Sequence, residues 1–344
     1  MTYIIGEIGQ NHNGSVDIAK AIVDVATLKV KDKLFDRDLK GIDAIKLTKR
    51  DLNEELTASA MNRPYDSPNA FAPTYGEHRQ ILELSNEEHF EVYKYVKSKG
   101  IDFVETLCSK GCLSLLNLFQ PDYLKVASRD LTNLPLLEAL AETKIPIIIS
   151  TGMADKLDLD NGLSAINKYH SNITILHCLS QYPSDYKELN LKSITYLKNN
   201  YPDYTIGYSD HSIGIVTPVA AVAMGAEVIE KHITIDRNMK GTDQEGSLAS
   251  DGIRRMLRDI RNLELSFGEE GIFRSEAVVS AQTKLERSIA TNKTLPKGHI
   301  IKEQDLHMLS PGDGLKWHEK DKIIGKAISS DIDENEILYP KFVG

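Results

Sequence analysis

Short apolar runs recur along the first two thirds of the chain, and most of them are followed by a stretch whose apolar positions have helical spacing. Short, continuous apolar runs are typical of strands buried on both faces, as the strands of parallel sheets are. The eight runs are Tyr3–Ile8, Ala44–Leu47, Phe103–Leu107, Tyr123–Ala127, Pro146–Ile149, Ile173–His177, Thr205–Tyr208 and Glu227–Ile233. The amphipathic stretches that predict helices between them include Ser15–Leu28, Asn86–Lys99, Leu134–Thr143, Leu191–Asn199 and Val216–Gly225.

This repeated alternation of strand and helix predicts an α/β protein with a (β/α)8 TIM barrel. The alternative is a doubly wound open sheet, which normally has fewer strands and a glycine-rich first turn. The first turn here, Gly9–Gly14, reads Gly-Gln-Asn-His-Asn-Gly and lacks the glycine spacing of dinucleotide-binding turns. The barrel is therefore the predicted fold.

The alternation stops after about Gly268, and this change predicts a second domain. We expect a barrel catalytic domain over residues 1–268, a linker over 269–284 with a helical pattern at Arg274–Ala281, and a small β-rich domain over 285–344. About 60 residues barely support a core of their own, so this domain is expected to dock on another surface. Its apolar runs are Ser288–Ala290, Leu306–Leu309, Ile323–Ala327 and Ile337–Tyr339.

One connection within the barrel domain, from Asp51 to Glu83, is long and contains three prolines and several aromatic residues. A structureless segment of this length is usually functional. A surface excursion without a role is the alternative.

Composition and charge narrow the classes of function. The 344 residues include 41 Lys plus Arg and 50 Asp plus Glu, a formal net charge of −9, whereas a nucleic-acid binder would present a basic face. Cys108, Cys112 and Cys178 cannot all pair within one chain, which favours reduced thiols in a cytoplasmic protein. No apolar run approaches the roughly 18 residues of a membrane span. We therefore expect a cytoplasmic protein that binds neither nucleic acid nor a membrane.

Polar side chains interrupt or follow all eight predicted barrel strands. The carboxyl ends of the strands hold the active site in this fold, and ionisable groups are costly in a packed interior. Lys46 and Lys125 each interrupt an apolar run, so together they predict a site for a phosphate or carboxylate, with pairing to a buried Glu as the alternative. The polar residues at the strand ends are Glu7, Lys46, Thr106, Lys125 with Ser128 and Asp130, Ser150, Ser180 with Tyr182, Ser209 with His211, and Lys231 with His232.

Two histidines, His211 and His232, end two successive strands and are expected to be neighbours. Adjacent imidazoles suit a divalent transition metal that keeps open positions for water and substrate. A hydrogen-bonded core histidine is the alternative for either one, and His12 in the first loop could also reach the site. The chain has no GxSxG or Walker A sequence, which argues against serine catalysis and nucleotide hydrolysis, while a Schiff-base lysine stays open.

Seven motifs together resemble those of the sialic acid (N-acetylneuraminate) synthase family. They are Glu7-Ile-Gly-Gln-Asn-His-Asn-Gly14, Tyr123-Leu-Lys-Val-Ala-Ser128, Ile149-Ser-Thr-Gly-Met153, Leu176-His-Cys178, Gln181-Tyr-Pro183, Ile206-Gly-Tyr-Ser-Asp-His211 and Glu230-Lys-His-Ile-Thr234. In the tail, Ser310-Pro-Gly-Asp-Gly314 resembles the family's antifreeze-like (SAF, β-clip) domain. The long connection, with Arg63-Pro-Tyr65 and Thr74-Tyr-Gly-Glu-His78, resembles the animal-type branch, which makes a 9-phosphate from a 6-phosphorylated sugar.

The resemblance implies a condensation of phosphoenolpyruvate with N-acetylmannosamine or a close relative, with release of phosphate. It also implies a cytoplasmic, domain-swapped homodimer and a divalent metal, Mn2+ first, with Mg2+ or Co2+ as alternatives. By motif position the catalytic residues would be Glu7, Lys46, Lys125, His211 and His232, the two histidines being the metal ligands. The substrate-binding residues would be Thr106, Ser128, Ser150, Ser180, Tyr182 and Ser209 for phosphoenolpyruvate, and Asp130 and Asp243 for the sugar.

Four positions depart from the family pattern, and they bear on the sugar more than on the reaction. Thr48 and Asp130 replace a common Gln and a common Glu, Ser180 replaces a usual Asn, and Ser310 stands where an Arg precedes Pro-Gly. The alternatives are therefore an N-acylneuraminate-9-phosphate or KDN-9-phosphate synthase that uses a 6-phosphorylated sugar, or another nonulosonate synthase. A catalytically silent sugar-binding or scaffold protein is the alternative outside the enzymes.

Overall fold

Strands alternate with helices through Met1–Gly268, the first of two units of the chain, and the second unit is Glu269–Gly344. The computed structural model describes residues 1–344. The strands are β1 (Tyr3–Gly9), β2 (Val30–Asp32), β3 (Arg37–Leu39), β4 (Ala44–Lys49), β5 (Asp102–Leu107), β6 (Tyr123–Val126), β7 (Ile147–Ser150), β8 (Ile173–Cys178), β9 (Thr205–Asp210), β10 (Val228–His232), β11 (Ser288–Thr291) and β12 (Leu306–Leu309). The α-helices are α1 (Val16–Ala26), α2 (Leu52–Glu55), α3 (Ala58–Met61), α4 (Tyr75–Leu82), α5 (Asn86–Ser98), α6 (Leu134–Glu142), α7 (Lys156–Asn167), α8 (Lys192–Asn200), α9 (Val216–Ala223), α10 (Ser250–Ser266) and α11 (Val279–Leu285).

Eight of these strands form a closed parallel barrel in the order β1-β10-β9-β8-β7-β6-β5-β4, and β4 pairs with β1 to complete the ring. The predicted TIM barrel is therefore confirmed, and each strand lies within two residues of its predicted bounds. The strands read as continuous apolar runs because one face packs on the surrounding helices and the other faces the barrel interior.

The barrel interior has an apolar layer, and the polar layer of the site follows it along each strand. The apolar layer contains Ile5, Ala44, Val104, Ile148, Leu176 and Val228. Side chains two residues apart lie on the same face of a strand, so the next inward-facing residues are Glu7, Lys46, Thr106, Ser150, Cys178 and Glu230. The period of the strand thus places a ring of polar groups directly above an apolar plug.

The long connection from Asp51 to Glu83 contains three short helices, α2, α3 and α4, so the expectation of a structureless segment is wrong. Helix α4 begins at a capping box, in which the Thr74 side chain accepts from the Glu77 N–H and the Glu77 carboxylate accepts from Thr74. The three prolines that precede the N-cap of α4 made the whole connection resemble a loop in the sequence, and the helix was therefore not predicted.

A second element that the sequence pattern did not predict is the hairpin of β2 and β3, which pair antiparallel. Each strand has three residues, and only Val30 and Asp32 are buried, so the hairpin leaves no periodic signal.

The second unit has its own small core, and its regular structure is one antiparallel pair, β11 with β12. The runs Ile323–Ala327 and Ile337–Tyr339 are not regular strands, because only Ala327 and Ile337 pair, each through a single bridge. Gly325 has φ +82°, which breaks the extended conformation within the first run. A 3-10 turn and then α11 span Glu276–Leu285, slightly later than the expected helix. In neither unit does a helix combine the length and apolar character of a bilayer crossing.

Candidate active site

A cavity of about 340 Å³ opens at the carboxyl ends of the barrel strands. It brings together the two lysines and the two histidines that the sequence singled out, Lys46, Lys125, His211 and His232. The other predicted site residues that line it are Glu7, Thr106, Ser128, Ser150, Ser180, Tyr182, Ser209 and Asp243. Residues from every barrel strand or the turn after it thus converge on one space.

The floor of this cavity holds two ammonium groups and two carboxylates. The Lys46 Nζ forms an ion pair with Glu7 and lies 3.7 Å from Glu230, and the Lys125 Nζ lies 3.8 Å from the other oxygen of Glu230. All four side chains are almost completely buried. Each lysine therefore pairs with a buried Glu, which is one alternative from the sequence. Each also faces the cavity, as the other alternative, an anion site, requires.

Burial and charge act in opposite directions on these groups. Burial raises the pKa of Glu7 to about 7, although the neighbouring Lys46 opposes the shift. Burial would also raise the pKa of Glu230, but Lys125 and Lys46 lower it to about 2. Burial lowers the pKa of Lys125, whereas the carboxylates of Glu230 and Glu7 outweigh burial at Lys46 and raise its pKa. Glu230 is therefore the permanent counter-charge of the floor, and Glu7 is the carboxyl that can gain or lose a proton near neutral pH.

Small hydroxyl groups surround this charged floor. Lys46 donates to the Thr106 hydroxyl at 3.3 Å, and the Ser209 hydroxyl donates to Glu230 at 2.9 Å. The buried Ser150 hydroxyl has no hydrogen-bond partner. This free hydroxyl donor, in the same cavity as Lys125, is suited to donate a hydrogen bond to an acceptor oxygen of a ligand.

The turn after β7 is shaped by a glycine. The Gly152 N–H donates to the Ser128 hydroxyl at 3.0 Å. A Cβ at Gly152 would lie 2.5 Å from the Ser180 hydroxyl oxygen and 2.9 Å from that of Ser128, so a larger residue would force these hydroxyls apart.

The rings of His211 and His232 lie side by side, with centroids 5.5 Å apart. The His211 Nδ1 is 2.8 Å from the Leu179 carbonyl, which leaves its Nε2 free to accept. The His232 Nδ1 is buried without a partner. Two imidazoles with free nitrogens fit a divalent cation, and the remaining positions would belong to water or substrate, since no cluster of three His, Cys, Asp or Glu side chains offers a complete protein site.

Three residues are placed differently from the sequence-based expectations. Asp130 lies in an adjoining cavity of about 270 Å³ and pairs with Arg129 at 3.3 Å. His12 does not line the main cavity; it is buried in its own loop, where its Nδ1 accepts from the Gly14 N–H. Lys231 points to the outer face of β10, because its side chain alternates with those of Glu230 and His232.

Lys231 instead forms a fully buried ion pair with Asp210, with Nζ and Oδ2 2.6 Å apart. Asp210 precedes His211 and Lys231 precedes His232, so this pair joins the two strand ends that carry the imidazoles. Asp210 also accepts from the Tyr208 hydroxyl at 2.9 Å and from the Ser212 N–H at 3.0 Å. The imidazoles are thus supported from behind by a closed polar network.

Several cavity residues were not singled out from the sequence. Glu230 could have been found, because it lies two residues after the inward-facing Val228 on a strand whose register is otherwise clear. Cys178 follows Leu176 in the same way. Arg50, Arg79 and Arg129 also line the cavity. Arg50 and Arg129 lie on turns, where no periodicity predicts the direction of a side chain, and Arg79 lies on α4, a helix that the sequence pattern did not predict.

A closed parallel barrel with this charged and hydroxyl-lined cavity at its carboxyl end defines the class of (β/α)8-barrel enzymes. A model described as the NeuB family matches residues 38–271, and one described as the SAF domain matches residues 286–343. The chain therefore belongs to the NeuB family, and it is an enzyme of the sialic acid synthase type.

Individual relatives agree with this assignment. The N-acetylneuraminate-9-phosphate synthase of Drosophila melanogaster is 30% identical over 97% of this chain and 94% of that protein. The N,N'-diacetyllegionaminic acid synthase of Legionella pneumophila is 32% identical over 98% of this chain and 93% of that protein. The crystal structure of an N-acetylneuraminic acid synthetase from Leptospira borgpetersenii is 29% identical with a TM-score of 0.67, over 81% of this chain and 90% of that one. The resemblance seen in the motifs is thus confirmed, and the relatives differ in the product named for them.

Proposed function

We propose that this enzyme condenses phosphoenolpyruvate with the open-chain aldehyde of an N-acylmannosamine-type sugar. The new bond would join C3 of phosphoenolpyruvate to the aldehyde carbon, a water would add at C2, and inorganic phosphate would leave. The observation that carries this proposal is the placement of two buried ammonium groups and two adjacent imidazoles in one cavity. The names of the relatives, all synthases of sialic acid or related acids among those described above, support it.

Lys46 and Lys125 would hold the phosphate and carboxylate of phosphoenolpyruvate. Both ammonium groups lie within 4 Å of Glu230, which stays ionised and so keeps charge on a floor that burial alone would neutralise. The hydroxyls of Thr106, Ser128, Ser150, Ser180 and Ser209, with that of Tyr182, would donate to the remaining anionic oxygens. Fixed donors of this kind orient the substrate and cost no rearrangement during the reaction.

His211 and His232 would hold a divalent metal, Mn2+ first, with Mg2+ or Co2+ as alternatives. When bound, such an ion supplies Lewis-acid polarisation of an aldehyde oxygen. The Tyr182 ring lies 4.1 Å from that of His211, so it covers one side of the imidazole pair. Asp243 lies in the same cavity and would contact sugar hydroxyls, as would Asp130 from the adjoining cavity.

Glu7 would act at C2 of phosphoenolpyruvate, where positive character develops as C3 attacks the aldehyde. Its carboxylate is buried beside Lys46 and could stabilise that charge or take a proton from the water that adds. Its pKa of about 7 suits a group that exchanges a proton during turnover.

A phosphate-release assay tests the proposed reaction directly. We expect inorganic phosphate to form only when phosphoenolpyruvate and an N-acylmannosamine or its 6-phosphate are both present. We expect a chelator to abolish the release and added Mn2+ to restore it. Phosphate release that continues in the chelator-treated enzyme would contradict the metal requirement. The absence of release with either sugar would contradict the proposed condensation.

The raised pKa of Glu7 predicts the pH dependence of this reaction. Because the ionised carboxylate is the form that stabilises positive charge, kcat/KM for phosphoenolpyruvate, which reports the free enzyme, should rise with pH through a limb near pH 7. In Glu7→Gln the side chain cannot ionise, so kcat should be lower by about 100-fold and this limb should be absent. A pH profile of kcat/KM for phosphoenolpyruvate in both enzymes is the measurement. An unchanged limb in Glu7→Gln would show that another group titrates.

We also propose a cytoplasmic, domain-swapped homodimer, as the resemblance to the sialic acid synthases implies. Exposed apolar side chains in the segment 267–273 support association, since Phe267, Ile272 and Phe273 are each more than half exposed in the single chain. Sedimentation equilibrium should then give twice the 38.4 kDa of one chain, whereas a mass of one chain would exclude the dimer.

A further inference from the structure

Arg79 is an arginine of the cavity wall that has no carboxylate partner. Its Nε donates to the Tyr75 hydroxyl at 3.0 Å, its Nη1 donates to the Gln10 side chain, and its guanidinium carbon lies 5.1 Å from the centre of the Tyr75 ring. All of these partners are neutral, and its Nη2 makes no hydrogen bond within the chain. Arg79 therefore presents a full positive charge and a free donor to the cavity.

The other two arginines of this wall are already neutralised. Arg50 and Arg129 share one oxygen of Glu55, at 3.1 and 3.3 Å. Arg129 also pairs with Asp130 at 3.3 Å, and Arg50 lies 3.6 Å from Glu83. Arg79 differs from them in this respect, although all three line both the main and the adjoining cavity.

Arg79 is also the one cationic side chain of the main cavity that forms no ion pair with a carboxylate. The other four, Lys46, Lys125, Arg50 and Arg129, each pair with a glutamate. When phosphoenolpyruvate binds to the two lysines, Arg79 still has no anionic partner.

Arg79 lines the same cavity as the imidazole pair. Its partner Gln10 directly follows Gly9, and a Cβ at Gly9 would lie 3.3 Å from the His232 ring. The long connection from Asp51 to Glu83 thus ends in a helix that brings one free guanidinium to the rim of the site.

We propose that Arg79 binds a phosphate monoester carried by the sugar at the end remote from its aldehyde. A guanidinium presents its donors in a planar fork that matches the oxygens of a phosphate, and its charge does not depend on pH. This inference rests on the proposed function, and it specifies the substrate class of the same site. The relatives differ in this group, since one is named for a 9-phosphate product and another for an acid without phosphate.

Steady-state kinetics with a matched pair of sugars test this proposal. We would measure kcat/KM for N-acetylmannosamine and N-acetylmannosamine 6-phosphate, with phosphoenolpyruvate saturating, in the wild type, Arg79→Met and Arg79→Lys. The control is Arg63→Met, which removes an exposed arginine from the same connection that takes part in no ion pair.

We expect the wild type to prefer the 6-phosphate by about 100-fold or more, and Arg79→Met to reduce this preference by about 30-fold. Arg79→Lys should retain part of the preference, because it keeps the charge and loses the fork. Arg63→Met should keep the wild-type ratio. The KM for phosphoenolpyruvate should not change along with the preference for the 6-phosphate. This result separates binding of the sugar phosphate from a general disturbance of the site.

Two results would overturn the role of Arg79 while leaving the proposed reaction intact. One is a wild type that uses both sugars equally or favours the neutral one, and the other is an Arg79→Met variant that loses activity equally on both. The second result would show that Arg79 only holds α4 against Gln10. No phosphate release with either sugar would overturn the condensation itself, and this proposal with it.

Discussion

Replacing Lys125 by Met is expected to lower kcat/KM for phosphoenolpyruvate by about 1,000-fold. The Lys125 ammonium is buried, faces the cavity and shares Glu230 with Lys46. Its removal deletes one of two cationic contacts to the substrate and leaves Glu230 with only Lys46 as its counter-charge. Losing one partner of a buried charge pair costs about 2–5 kcal/mol, which corresponds to roughly 30- to 4,000-fold.

The matched control is Lys187→Met, because Lys187 is exposed and lies outside the cavity. It should keep the wild-type kcat/KM, and both variants should keep the wild-type circular dichroism spectrum. A Lys125→Met enzyme within tenfold of the wild type would contradict the placement of phosphoenolpyruvate on this lysine.

The second large effect is expected on stability. Lys231→Met should lower the free energy of unfolding by about 3–5 kcal/mol, because the fully buried Asp210 carboxyl would be left without its ammonium partner. Urea unfolding followed by far-UV circular dichroism is the measurement, since ten of the eleven α-helices belong to the first unit.

Two companion variants separate this mechanism from a general loss of packing. Asp210→Asn combined with Lys231→Met removes both charges and should recover much of the lost stability. Lys198→Met breaks an exposed pair with Glu227 and should change the unfolding free energy little. A Lys231→Met protein as stable as Lys198→Met would contradict the account of the buried pair.

The barrel and most of its site could be predicted from the sequence, and both for the same physical reason. Parallel strands covered by helices read as continuous apolar runs, so a Lys or Glu within such a run is conspicuous. Lys46 and Lys125 were identified in this way. Strand ends of one barrel also share one face, which is why His211 and His232 could be paired despite their separation in sequence.

Features that depend on side-chain direction outside the strands could not be predicted. Arg79 lies on α4, a helix of eight residues that the sequence pattern did not predict, and Asp130 lies on a short turn whose separate cavity leaves no periodic signal. Within β10 three polar residues are consecutive, so only the register distinguishes Glu230, which faces the cavity, from Lys231, which does not. In the second unit, Gly325 interrupts an apolar run that would otherwise indicate a strand.

A crystal structure of the enzyme with Mn2+ and phosphoenolpyruvate would test the central claim most directly. We expect one anomalous manganese peak bonded to nitrogens of both His211 and His232, and the anionic oxygens of phosphoenolpyruvate within hydrogen-bond distance of the Lys46 and Lys125 ammonium groups. A cation held by other side chains, or a phosphoenolpyruvate bound away from these lysines, would contradict the account.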